Sequence, residues 1–322
     1  MGYLRRQLAT RRGRRAALGI AAVLLLGYLG YRYSTRIRPP RLIYLPQTSA
    51  PGLIHALRDQ GIDARDRDAH RYLHDRSVPS GWIRFEEGAA MDRADFYARL
   101  QDTRREPTRQ VVMYSGETLH GFARTLSAQT GLSESKLLNA YYRYSPYSDG
   151  GILAGHYRVP YRTTANATMY ALTRLSEDRF RFIAHHYGHA YTPESFKRTL
   201  ILASIIQKET YHPGEMPLIA SVIANRLRAH MKLQLDATLN YGPYAHTPVT
   251  PERIRTDASR FNTYRHYGLP PEPISSVTTA ALRAAYRPSQ TTYLFFVRNP
   301  QGRHDFSTTY AEHLEKIRRY KK

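Results

Sequence analysis

From Ala16 to Tyr31 the chain reads AALGIAAVLLLGYLGY, sixteen residues without a charge, and six arginines stand ahead of it. No other feature restricts the architecture as strongly, because an apolar run of this kind must be covered by protein or by lipid. A membrane span needs ~20 residues. Extension to Tyr33, with Arg32 snorkelling to the interface, brings the segment close to that length. Tyr28, Tyr31 and Tyr33 cluster at the far end, where an aromatic belt sits. The positive-inside rule then holds the N-terminus on the cytoplasmic side and sends the rest of the chain outward. The expectation is a cytoplasmic basic tail over 1–15 and a transmembrane anchor over 16–35. A cleaved leader has the same charged-then-apolar order, but Leu29-Gly30-Tyr31-Arg32 is a poor processing site. A buried soluble helix fits poorly with the arginines at its flank, and an arginine arm for nucleic acid is the remaining alternative.

The formal net charge is +22, and the ten arginines up to position 41, with no acid among them, leave +12 for the rest of the chain. An excess of that sign points to a polyanionic partner: nucleic acid, anionic lipid or an acidic polymer. Cysteine is absent, which excludes thiol nucleophiles, disulfide scaffolds, iron–sulfur clusters and Cys-type zinc sites. Hydrophobic residues make up 42%, enough to build a core and to exclude wholesale disorder.

Arg38-Pro39-Pro40-Arg41 reads as a stiff linker. Beyond it, strands are expected at 42–45 and 82–85 and helices at 50–61 and 94–100, a small α/β unit. A polar stretch with Pro107 marks a boundary. Strand, Ser/Gly turn, helix and later strand then return over 110–160, which reads as a repeat of a carbohydrate-binding-like module or as two unrelated βα units. From Thr192 the signals are denser. Thr192-Pro193-Glu194 combines an N-cap, a proline at the first helical position and an acid in the first turn. Helices are expected from 196 to about 209, from 217 to 231 and over 277–286. A hairpin is expected over 293–307 and a basic helix over 310–320.

The chemistry concentrates in Leu200-Ile201-Leu202-Ala203-Ser204-Ile205-Ile206-Gln207-Lys208-Glu209-Thr210. On a helix, Glu209 shares the apolar face with Leu202, Ile205 and Ile206. Burial raises a carboxyl pKa, and a helix C-terminus disfavours negative charge, so both effects keep the proton on. A carboxyl group protonated near neutral pH is what a general acid requires. Spacing alone leaves Glu209 open between that role and a solvated residue at a fraying helix end.

Further segments accompany this helix in order: Asn225-Arg226-Leu227, Met231-Lys232-Leu233-Gln234-Leu235-Asp236-Ala237-Thr238-Leu239-Asn240-Tyr241-Gly242, Asn262-Thr263-Tyr264, Gly268-Leu269-Pro270-Pro271-Glu272-Pro273-Ile274, Tyr293-Leu294-Phe295-Phe296-Val297 and Gly302-Arg303-His304-Asp305-Phe306. Together, from Leu200 to His313, they resemble the endolytic murein transglycosylase family (MltG, YceG-like). The resemblance implies an α+β fold: a transmembrane helix, a small LysM-like α/β subdomain (42–105) and a larger mixed α/β catalytic domain (106–322). It implies a single-pass enzyme of the inner membrane, with its catalytic domain in the periplasm, that cuts nascent peptidoglycan strands internally as a lytic transglycosylase. It places the catalytic glutamate at Glu209 and, by motif position, substrate-binding roles at Asp236, Tyr241, Asn262 and Tyr264. No metal and no organic cofactor are implied. The implied partners are glycan strands, inner-membrane lipid and cell-wall synthases, with no nucleic acid. Three departures stand out: Gln207 where a glutamate is usual, Ala237 where a proline is usual and Glu272 where a glycine is usual. A two-carboxylate muramidase using Asp236 and an inactive membrane-tethered glycan-binding scaffold are the alternatives.

Other candidates carry less. His185 and His189 stand at i, i+4 without the glutamate of a zinc-protease motif and with Gly188 between them. Ser204 lacks a nucleophile-elbow pattern. The basic end, Lys316 to Lys322, reads as a solvated helix end or a lipid or wall contact.

Overall fold

A computed structural model describes residues 18–28, 36–73, 78–86, 88–102, 105–245 and 247–320. The chain divides into two compact units, one ending at Glu106 and the other starting at Pro107.

In the first unit, β1 (Arg36–Ile37) pairs antiparallel with β4 (Met91–Asp92), and β2 (Leu42–Leu45) pairs antiparallel with β3 (Gly81–Arg84). Helices α1 (Ala50–Asp59) and α2 (Asp66–Asp68), a π-helical turn (Ala69–Leu73) and helix α3 (Arg93–Gln101) complete it. Helix α1 starts where Ser49 accepts the Gly52 N–H and Pro51 occupies the first turn. Its apolar face, Leu53, Ile54 and Leu57, packs with Ile43, Leu45, Ile83, Phe96 and Tyr97. Each such fully buried side chain contributes on the order of 1.5–3 kcal/mol.

The residues 18–28 are helical and expose their apolar side chains, with Leu18, Val23, Leu24 and Leu26 about two-thirds accessible. Among the described residues no helix is long and apolar enough to cross a membrane. Residues 1–17 and 29–35, which include both ends of the expected anchor, lie outside the described residues.

The second unit begins with β5 (Thr108–Met113), α4 (Leu119–Thr130), α5 (Glu134–Tyr144) and β6 (Gly155–Pro160), the two strands pairing antiparallel. Thr118 caps α4, accepting the Gly121 N–H, and Gly131 ends it at φ +75°, a left-handed geometry that suits glycine. Then come α6 (Ala165–His186), α7 (Pro193–Glu209), α8 (Met216–Arg228), α9 (Asp236–Leu239), α10 (Pro251–Thr256) and α11 (Thr279–Tyr286). The antiparallel pair β7 (Phe295–Arg298) and β8 (His304–Ser307) and the helix α12 (Tyr310–Tyr320) close the chain.

Helix α7 is the spine of this unit. Thr192 and Ser195 form a reciprocal capping box at its start. Phe196, Leu200, Ile205 and Ile206 pack with Ile219 and Ile223 of α8 and Ala281 and Leu282 of α11. The expected helices and hairpin from 192 onward occur close to their expected bounds, whereas α5 and α6 were not expected. Helix α6 shows why. Thr168, Thr173 and Ser176 are buried in it, and they read as polar in the sequence. Yet the Thr173 hydroxyl donates to the Met169 carbonyl (2.7 Å) and that of Ser176 to Leu172 (2.7 Å), so these letters satisfy themselves within the helix and mask its periodicity.

Candidate active site

Glu209 is the last residue of α7, and Thr210 leaves the helix in an extended conformation (φ −148°). Its carboxyl lines a groove of about 430 Å³ together with Arg226, Gln234, Leu235, Asp236, Tyr264, β7 residues Phe295, Phe296 and Val297, and α12 residues Tyr310, His313 and Ile317. Glu209 Oε1 is closed off from solvent and has no hydrogen-bond partner among the described residues. Burial pushes the Glu209 pKa up to about 7, with the neighbouring charge of Asp236 acting in the same direction. A hydrogen bond from the Ala237 backbone N–H and the cations Lys208 and Arg226 pull the other way, less strongly.

Asp236 and Tyr264 share the groove, and the Tyr264 hydroxyl donates to Asp236 Oδ1 at 2.6 Å. Burial and that carboxylate push the Tyr264 phenol well up, so it keeps its proton. Asn262 lies elsewhere: it is fully buried, and its amide donates to the carbonyls of Ile254 (2.9 Å) and Asp257 (2.8 Å) while accepting the Tyr264 N–H (3.1 Å). It is a scaffold for the loop that carries Tyr264. Tyr241 is not among the groove residues either. Its ring packs against Phe261 at 4.9 Å, and Ser148 and Asp149 are its polar neighbours.

One groove wall, Arg226, has no role implied by motif position. Arg226 is nearly buried, with Nε donating to the Leu294 carbonyl (2.6 Å) and Nη1 to that of Leu233 (2.6 Å). It thereby ties the segment entering β7 to the segment entering α9, and its guanidinium lies 5.2 Å from the Phe295 ring centroid. Burial lowers its pKa, as for any desolvated cation. Behind the groove a second network fixes the exit from α7. Glu215 Oε2 accepts the Thr210 hydroxyl (3.0 Å) and lies 2.9 Å from His304 Nδ1, and Oε1 accepts the His304 N–H (3.1 Å). Despite its burial, Glu215 is held below the usual glutamate range, because His304 and Thr210 donate to its charged form. The network joins the residue after Glu209 to β8, the partner of the groove strand β7.

The departures from the family pattern have local roles. Gln207 Oε1 accepts the Thr278 N–H (3.1 Å) and hydroxyl (2.7 Å), capping α11 without adding charge beside Glu209. Ala237 supplies an N–H that a proline lacks. Glu272 pairs with Lys197 and accepts the Ser148 hydroxyl (3.0 Å).

His185 and His189 do not share a helix: α6 ends at His186, Gly188 turns at φ +79°, and the His189 ring stacks on Tyr286 at 5.2 Å. Among the described residues no group of three or more His, Asp or Glu side chains could hold a metal ion. Ser204 is buried, donates to the Ile201 carbonyl (2.8 Å) and accepts the Ile274 N–H (3.1 Å), a packing role.

The family model described as YceG-like matches residues 45–319. The chain belongs to the YceG-like family. An endolytic murein transglycosylase of Bacillus subtilis is 33% identical over 126 residues, which is 39% of this chain and 35% of that protein. An endolytic murein transglycosylase of Streptococcus pneumoniae is 28% identical over 120 residues, 35% of this chain and 22% of that protein. The matched stretches thus span about a third of the first relative's length and about a fifth of the second's. A solved structure of a YceG-like protein from Listeria monocytogenes covers 85% of this chain and 97% of its own, with a TM-score of 0.54 and 23% identity, and so shares the mixed α/β fold. In this YceG-like chain the groove at the end of α7 is the concave site where a partly desolvated acid meets polar and aromatic walls.

Proposed function

We propose that the protein is an endolytic lytic transglycosylase that cleaves the bond between N-acetylmuramic acid and N-acetylglucosamine inside peptidoglycan strands. The observation that carries this reading is the Glu209 carboxyl in an open groove, where burial raises its pKa to about 7. The relatives named as murein transglycosylases support the substrate class.

In this reading Glu209 gives its proton to the glycosidic oxygen. The bond from that oxygen to C1 of the muramic residue breaks, and the GlcNAc leaves with a free hydroxyl. The Glu209 carboxylate then takes the proton of the C6 hydroxyl of the same muramic residue, whose oxygen attacks C1 and closes a 1,6-anhydro ring. Glu209 ends protonated again, and no water enters the product. An intramolecular nucleophile is favoured because its translational freedom is already lost. Arg226, fixed by two carbonyls, stabilises the transient Glu209 carboxylate. Asp236, with its charge oriented by Tyr264, faces the developing oxocarbenium.

A second reading uses Asp236 as the partner carboxylate of a hydrolase, and the presence of both carboxyls in one groove favours it. Digestion of intact glycan strands, followed by mass measurement of the new ends, separates the two: anhydro ends support transglycosylation, and reducing ends support hydrolysis. Glu209→Gln should abolish cleavage in either case.

We assign residues 42–105 to a LysM-like subdomain and 106–322 to the catalytic domain. We also read 16–35 as a single-pass inner-membrane anchor, with the catalytic domain in the periplasm and cell-wall synthases nearby. The uncharged run and the exposed apolar face of residues 18–28 support the anchor. Protease protection of an N-terminal tag in intact inner-membrane vesicles tests it.

A further inference from the structure

The groove has a wall that the catalytic reading leaves without a task. Tyr310, His313 and Ile317, spaced i, i+3, i+7 on α12, present one face of the terminal helix to it. The His313 ring stacks on Phe295 at 5.3 Å with 24° between planes, which fixes its orientation. Its Nδ1 is closed off from solvent and has no partner among the described residues. Nε2 is therefore the ring nitrogen left for the groove. A buried lone pair without a partner is less rare than a buried orphan N–H, so the favoured tautomer carries its proton on Nε2. Burial, Arg226 from α8 and Lys316 from α12 itself all disfavour a positive imidazolium. His313 thus offers the groove a neutral N–H donor, flanked by the apolar surfaces of Phe295 and Ile317.

A donor beside an apolar patch matches an acetamido group, which presents a carbonyl oxygen and a methyl side by side. A hydroxyl would use the donor and waste the apolar surface. We propose that His313 is a substrate-binding residue that donates from Nε2 to the carbonyl oxygen of a 2-acetamido group on the sugar in the Glu209 groove, making the terminal helix a specificity wall. The inference rests on the Glu209 reading for the site but concerns the choice of sugar.

The test uses the full chain carrying Glu209→Gln, which prevents turnover, and two neutral β-1,4-linked tetramers: one of N-acetylglucosamine, one of glucose. Affinities are read by ligand-observed NMR titration. The acetylated tetramer should bind roughly tenfold or more tightly than the glucose tetramer. Adding His313→Ala should weaken the acetylated tetramer by roughly fivefold, the value of one hydrogen bond, and leave the glucose tetramer within about twofold. His313→Gln, which keeps an N–H donor, should recover part of the loss and serves as the reporter should the alanine variant fail to fold. Equal losses on both tetramers, no loss on either, or no detectable binding of the acetylated tetramer at millimolar concentration would overturn the assignment. Cleavage by Glu209→Gln would instead sink the catalytic reading. Loss of cleavage in that variant together with unselective His313 variants would leave the catalytic reading standing and remove only this inference.

Discussion

Two carboxyl groups, one in each unit and each with an oxygen closed off from solvent, have opposite surroundings. Asp68 Oδ2 receives Arg93 Nη1 at 2.5 Å, the Arg65 N–H at 2.8 Å and the Tyr97 hydroxyl at 3.0 Å. Glu209 has one oxygen shut away with no partner among the described residues, and the charge of Asp236 repels its ionised form. The first is a carboxylate met by three donors, and it specifies a fold. The second has its pKa raised by poor solvation and opens on a groove. Burial alone therefore does not mark a site. What marks it is burial left unsatisfied where a ligand can reach. Asp149 sharpens the point: its pKa is also pushed up to about 7 by burial, but the Leu119 and Gly150 N–H groups occupy its oxygens, and it caps a helix.

The contrast can be broken experimentally, and the largest expected effect is at Glu209. Glu209→Gln should reduce turnover of glycan strands by about 10²–10⁴-fold or more, the usual worth of a general acid. The mirror-image change, Arg93→Ala, should leave turnover per folded molecule unchanged but lower stability by about 3–5 kcal/mol in chemical denaturation, because it strands Asp68. Next comes the pH dependence of stability. Folded Glu209 binds its proton more tightly than the unfolded chain does, so its contribution falls as pH rises from 4.5 to about 7 and stays low above that. Comparison of Glu209→Gln with the parent chain should show a relative gain approaching about 3 kcal/mol at pH 8 and little at pH 4. Glu215 has the opposite sign. Its pKa is depressed, so its stabilisation is complete above the ordinary glutamate range and disappears as pH falls through its folded value. Glu215→Gln should flatten that acid-side loss in a thermal-melt series. Smaller effects lie at the groove edge. Tyr264→Phe removes one donor from Asp236 and should cost roughly 2- to 10-fold in kcat/KM. Ala237→Pro removes the N–H that steadies the Glu209 carboxylate, and should move the basic limb of the pH–rate profile upward.

How much of this was readable beforehand depended on distance along the chain. The N-cap at Thr192, the apolar face of α7 and the position of Glu209 on it are local features, and local rules describe them. The family motifs brought Asp236 and Tyr264 to attention, and these two share the groove with Glu209. They also nominated Tyr241 and Asn262, which have fixed spacings in sequence but spend their side chains on Phe261 and on loop carbonyls. Spacing cannot distinguish a residue that lines a groove from one that holds its rim. Arg226, Phe295 and His313 come from three elements far apart in sequence, and only tertiary packing brings them together. The clue for Arg226 was present in the Asn-Arg-Leu segment, since a cation on the inner face of a helix must find acceptors. The clue for α12 was its i, i+3, i+7 face, hidden by the lysines and arginines that surround it.

The claim beneath the whole account is that Glu209 keeps its proton close to neutrality. Carbon-13 NMR of carboxyl-labelled glutamate in the folded protein, with the Glu209 resonance assigned by its loss in Glu209→Gln, measures this directly. The expected titration midpoint is near 7. A midpoint in the ordinary glutamate range, near 4.5, would contradict it.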